Sequence, residues 1–312
     1  MNSATRFLLG GLAVVVALTA VAGADVVWQT GRAAQSRTLR QLQVAATVES
    51  ELQANRLEEL QLHAELLAHD SAFVDYVAQS LIPDPRLGGA IDKVSISDLL
   101  QERRHGYDIA MVLDPHGVPM AASGVLFRKA ADVQTDLLVT KAIQAQTPTH
   151  GTWIDDGQLL WVVVNPLMRG GALQGVLVTA ARVDGAFADA VNRIAQTGIS
   201  FMTQSGANST SSASSHVDDW VTSAVTARLP SLLKQTEGQR VELIDTGRRA
   251  TAWVTPLVTA DGRAVMISVA ADTTLGNVVH TDASPLLLGV GVLGIIGILL
   301  VLLQWQRTRQ SL

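Results

Sequence analysis

Two long stretches without a charged residue, Phe7–Ala24 and Pro285–Leu303, bracket this chain. Each is close to the roughly 20 apolar residues a helix needs to cross a hydrocarbon core about 30 Å thick. The sequence therefore predicts membrane spans over 7–27 and 285–303. The first run also fits a cleaved leader ending at Ala22-Gly23-Ala24. Val26, Val27 and Trp28 carry its apolar character onward, which favours a retained span. Arg6 flanks one run and Arg307 and Arg309 the other, with no acidic residue beside them. By the positive-inside rule the tails 1–6 and 304–312 are cytoplasmic and residues 25–284 are exported.

All 28 acidic residues lie in that exported segment, and the chain's net charge is −5. An acidic surface gives nucleic acid nothing to bind. The absence of cysteine excludes disulfides, thiolate metal sites and cysteine nucleophiles together. The nine residues after Leu303 are too few for an output domain, so any signal has to pass to a separate partner. Small residues at Ala13, Ala17, Ala20 and Ala24, and at Gly291, Gly294 and Gly297, permit close helix contact in the membrane and suit a homodimer.

Beyond the first span, residues 28–82 are rich in Ala, Leu, Gln and Glu and hold no proline, the composition of a long stalk helix. Ala45, Val48 and Leu52, then Leu57, Leu60, Ala64 and Leu67, form an a/d-type seam. It serves a coiled-coil dimer near the membrane and packing on the domain further out. Pro83 and Pro85 end the helix. The period then changes to short apolar runs separated by Asp114-Pro115-His116-Gly117, Asp156-Gly157 and Arg169-Gly170-Gly171, which is the chemistry of tight turns. Helical patterns are expected over 132–146 and 183–197.

A shift of 90 residues lays Ile154–Ala181 on Ile244–Ala271, pairing Asp155 with Asp245, Gly157 with Gly247, Val164 with Val254 and Pro166 with Pro256. The same shift sets Ile109 on Ile199. A glycine turn and a strand-end proline recurring at one spacing are geometric demands, so the segment reads as one module used twice. The modules span 83–197, distal to the membrane, and 198–283, proximal to it, with 205–215 (SGANSTSSASS) as a Ser-rich loop. The fold class is α+β: a long N-terminal helix with two antiparallel-sheet modules, framed by two transmembrane helices.

The segments RLEELQLHAELLAHDSAF (56–73), DIAMVLDPHGVPMAASG (108–124) and GTWIDDGQLLWVVVNPLMRGGALQGVLVTAARVD (151–184) resemble bacterial double Cache sensory domains, the PAS-like periplasmic sensors of two-component kinases and chemoreceptors. The resemblance covers roughly 40–275 and is clearer in the first module. It implies a bacterial inner-membrane protein whose periplasmic part binds a small molecule and signals across the membrane. The motifs are structural, and no ligand residue carries over by motif.

No catalytic constellation can be assembled. His63 and His69 are six apart on the helix and do not share a face as metal ligands would. Asp114, Asp155 and Asp156 stand beside glycine turns and read as turn residues. No serine lies in a nucleophile pattern. The chain reads as a non-enzyme with no cofactor and no metal. The best candidates for a ligand site are Trp161 and Asn165, which share a face of one strand by period-two alternation, together with Trp153 and Arg128. Thr251 and Thr255 replace Trp161 and Asn165 in the second module, which points to the first as the ligand binder. The rival reading is a membrane-anchored scaffold that uses the same fold to bind protein.

Overall fold

The computed structural model describes residues 3–103, 106–205, 208–245, 248–257, 259 and 263–271, with 3–35, 86 and 271 by backbone alone. Two compact units divide the chain: one of Met1–Arg40 with Ala270–Leu312, the other, Gln41–Val269, holding both sheets. Among the described residues no helix is long and apolar enough to cross a membrane. The expected span 285–303 and the tail after it lie outside the described residues. The expected span 7–27 lies where the helix is described by backbone alone.

The first helix, α1, runs over Ser3–Ala68. It ends earlier than the prolines suggested. Asp70 leaves helical geometry and its carboxylate accepts the amides of Ala72 and Phe73, capping a second helix, α2 (Ser71–Ser80). The seam of α1 is buried against its own domain: Leu42, Ala45, Leu60 and Ala64 are fully buried and Leu67 nearly so. A short helix, α3 (Lys93–Glu102), capped by Asp92, completes the lead-in.

Strands β1 (Ile109–Leu113), β2 (Pro119–Ser123), β3 (Thr149–Asp155), β4 (Gln158–Arg169) and β5 (Ala172–Arg182) form an antiparallel sheet in the order β2-β1-β5-β4-β3. Strands β6 (Gly198–Ser205), β7 (Asn208–Ser215), β8 (Gln239–Asp245), β9 (Arg248–Pro256) and β10 (Ala264–Ala271) form a second, in the order β7-β6-β10-β9-β8. The two orders are the same order. This is the α+β architecture expected, with the long helix running ahead of two like sheets.

The repeat is real but not gapless. Asp155 pairs with Gln158 and Asp245 with Arg248, which keeps the 90-residue shift for β3/β8 and β4/β9. On the inner strands Ala110 pairs with Thr179 and Ile199 with Ser268, a shift of 89. Ile199 therefore answers to Ala110, not to Ile109. An irregularity between Leu167 and Met168, just before the β4–β5 turn, accommodates the extra residue.

Each sheet is covered on both sides, so β4 reads as a continuous buried run from Leu159 to Leu167. On the distal sheet, Ala110, Val112, Trp161, Val163 and Leu177 join the core on the side of α1 and α2. Met111, Trp153, Val162, Val164 and Val178 join a second core under the helices α4 (Ala130–Gln134) and α5 (Leu137–Ala145). The single helix expected over 132–146 is thus two, divided where Asp136 caps α5 by accepting the Leu138 amide. Helix α6 (Gly185–Ala195) joins the modules, and α7 (Asp219–Thr226) and α8 (Leu229–Leu232) cover the second sheet.

The Ser-rich segment is where composition misleads most. Asn208–Ser215 is strand β7, paired along its length with β6. Its hydroxyls do the work that apolar side chains do elsewhere. Ser211 lies 3.2 Å from Ser200 and Thr210 lies 3.3 Å from Thr203 across the strand pair. Ser212 reaches the distal module.

Candidate functional site

The four residues singled out from the sequence do not form one site. Trp153 of β3 pairs with Leu160, while Trp161 of β4 pairs with Thr152. One residue of register sends the two tryptophans to opposite faces of the sheet, because side chains alternate along a strand. Trp153 goes under α4 and α5; Trp161 and Asn165 face the long-helix side.

Trp153 and Arg128 do come together. The Arg128 guanidinium carbon lies 4.6 Å from the centre of the Trp153 ring, a cation–π stack. The same guanidinium bonds the Asp136 carboxylate at 3.0 Å, with the two side chains 20% and 7% exposed. Trp153 is 2% exposed, and its indole N–H has no hydrogen-bond partner among the described residues. A buried indole usually finds an acceptor, so this donor is chemically unused.

The segment that carries Arg128 is fixed at several points. Asp155, at the end of β3, accepts the Phe127 amide with both carboxylate oxygens at 2.9 and 3.1 Å. Arg182 donates to the Val125 carbonyl at 3.1 Å, and its own amide donates to Asp108 at 2.8 Å. Gly124 starts the segment at φ +94, where a Cβ would press on the Asp108 carbonyl. Asp136 and Asp155 are the members that sequence reasoning missed. Asp136 directly precedes the apolar run of α5, which is an N-cap signature. Asp155 was legible only as a turn residue.

Trp161 is 2% exposed and meets Phe187 of α6 edge-on at 4.5 Å between ring centres; Phe187 in turn lies 5.6 Å from Phe201 of β6. It is a strut between the modules. Asn165 is 1% exposed, and neither its amide nitrogen nor its oxygen has a partner among the described residues. Thr179, the diagonal neighbour of Asn165 two residues along β5 from its partner Leu177, is likewise fully buried with an unpartnered hydroxyl. His69 is exposed and bonds the Glu65 carbonyl, and no group of three metal-ligating side chains occurs among the described residues.

No protein-family model matches the chain, and no curated protein matches it. Solved structures with a similar fold include the ligand-binding domain of the Campylobacter jejuni chemoreceptor Tlp3 in complex with L-valine, at TM-score 0.48 and 14% identity, covering 79% of this chain and 98% of that one. Another is the ligand-binding domain of the Pseudomonas aeruginosa amino acid chemoreceptor PctB in complex with L-Arg, at TM-score 0.41 and 14% identity, covering 76% and 95%. The periplasmic domain of Vibrio cholerae LuxQ matches at TM-score 0.40 and 10% identity, covering 75% and 98%. Two of these three are ligand-binding domains of chemoreceptors and the third is a periplasmic domain.

Proposed function

We propose that the chain is a small-molecule sensor held in a bacterial inner membrane by spans over 7–27 and 285–303, with 25–284 in the periplasm and both termini in the cytoplasm. It works as a homodimer and passes its signal to a separate membrane partner. The ligand sits on the distal module, on the side of the sheet covered by α4 and α5.

The observation that carries this reading is the cluster at Trp153. A buried indole donor without a partner lies beneath Arg128, whose charge is balanced by a buried Asp136. A cation, an anion, an aromatic wall and a spare donor converge on one spot, the usual composition of a small-molecule site. A cation beside an anion complements a zwitterion or a small polar metabolite carrying both charges. Signalling then requires only that the ligand bind one conformation more tightly than another.

The test is thermal unfolding of the full chain in detergent against amino acids, organic acids, polyamines and nucleobases. A ligand at about 100 times its Kd adds roughly 2.7 kcal/mol, which raises the Tm of a unit this size by about 5–10 °C. One chemical class shifting the melt supports the sensor. A folded protein indifferent to every compound favours the scaffold, which instead copurifies with a stable protein partner.

A further inference from the structure

The turn between β3 and β4 is built from Asp156 at φ +46 and Gly157 at φ +83, a tight two-residue connection. Asp156 is exposed, but Gly157 is buried against the second sheet. The Gly157 carbonyl accepts the hydroxyl of Thr203, a fully buried residue of β6, at 2.5 Å. The Ser212 hydroxyl of β7 accepts the Leu159 amide at 2.8 Å and the Gln158 side-chain amide at 2.9 Å. A Cβ on Gly157 would collide with the Thr210 hydroxyl. Immediately before the turn, Asp155 holds the Phe127 amide and with it the segment that carries Arg128. Four residues of chain, Asp155 to Gln158, therefore separate the ligand cluster from the second sheet.

We propose that the β3–β4 hairpin is the mechanical link between the modules: a shift of the Phe127–Arg128 segment is delivered through Asp155 and the Asp156-Gly157 turn to Thr203 and Ser212 of the proximal sheet. The inference rests on the ligand site placed above at Trp153 and Arg128, and names the route by which that site acts on the module nearer the membrane. A two-residue turn with both dihedral pairs fixed and its carbonyl bonded has little freedom to absorb a displacement. Both ends therefore move together or not at all.

Amide hydrogen exchange on the full chain in lipid nanodiscs tests the link without any ligand. Thr203→Val removes the bond to Gly157 at nearly constant volume. The Phe127 amide, in the other module, is expected to exchange about fivefold faster, the factor one neutral hydrogen bond is worth. Thr203→Ser, which keeps the hydroxyl, returns the parental rate. In the reverse direction Asp155→Asn speeds exchange at Leu159, whose amide bonds Ser212. The Leu243 amide in β8 is the reference and stays unchanged. Thr203→Val leaving Phe127 at the parental rate would overturn the link, and so would acceleration at Leu243 in step with Phe127, which signals general loosening. A failed ligand screen would sink the sensor reading and leave this exchange result standing.

Discussion

Trp161 on the distal sheet and Phe187 on the connecting helix meet edge-to-face, 4.5 Å apart. That contact, extended to Phe201, makes the tryptophan a packing element of the inter-module seam. Trp161→Ala is expected to cost about 3–5 kcal/mol, read as a large fall in the urea midpoint. Trp161→Phe keeps most of the contact and loses far less. Near-equal midpoints for the two variants would show that the ring does not bridge the modules.

Much of this was legible in the sequence, and its failures have physical causes. The turn at Asp156-Gly157 and the repeat it belongs to were visible because positive φ restricts residue choice. The partner face of each strand was not. Alternation says that Leu159, Trp161, Val163 and Asn165 share a face, and they do; it does not say which helices lie over that face. Nearness along the chain does not say whether Trp153 and Trp161 share a face, and a one-residue register separates them. The Ser-rich strand was hidden because its composition is that of a loop, and the groups Ser212 bonds, the Leu159 amide and the Gln158 side chain, are far along the chain.

Arg128 bonds Asp136 and stacks on Trp153, so its replacement has two separable effects. Arg128→Ala loses a charge-assisted hydrogen bond, worth about 1.5–3 kcal/mol, and the unfolding temperature falls accordingly. It also removes the cation of the ligand cluster, so the melting shift given by any bound compound disappears. Arg128→Lys keeps the charge but not the planar stack, and recovers stability better than it recovers the ligand shift. A full ligand shift retained by Arg128→Ala would remove this cluster from the site.

Glu49 sits on the buried seam of α1, one turn beyond Ala45, and is 5% exposed with no hydrogen bond or ion pair among the described residues. Burial alone pushes its carboxyl up from an ordinary 4.5 to about 7. The unfolded chain gives up this proton first, so the contribution is fully favourable below pH 4.5 and is lost as pH rises toward 7. The difference is about 3 kcal/mol. Glu49→Gln removes the titration, and the stability gap between variant and parent is expected to open between pH 5 and pH 8. Urea unfolding at those two pH values measures it; a constant gap would mean that Glu49 is already ionised in the folded protein at pH 5.

Asn165 holds two unpartnered amide atoms in a fully packed interface between the sheet and the helices. An unsatisfied buried polar group costs about 1–3 kcal/mol, and leucine keeps the same branched heavy-atom skeleton with two bulkier methyls in place of the amide atoms. Asn165→Leu is therefore expected to raise the unfolding temperature by a few degrees, on the scale of about 2–4 °C per kcal/mol for a unit this size. Ligand-induced shifts remain, since the residue faces away from Trp153 and Arg128. Asn165→Asp, which buries a charge at the same spot, lowers stability steeply above its pKa. A variant that gains no stability and loses the ligand response would return Asn165 to the binding site and move the ligand to the long-helix face of the sheet.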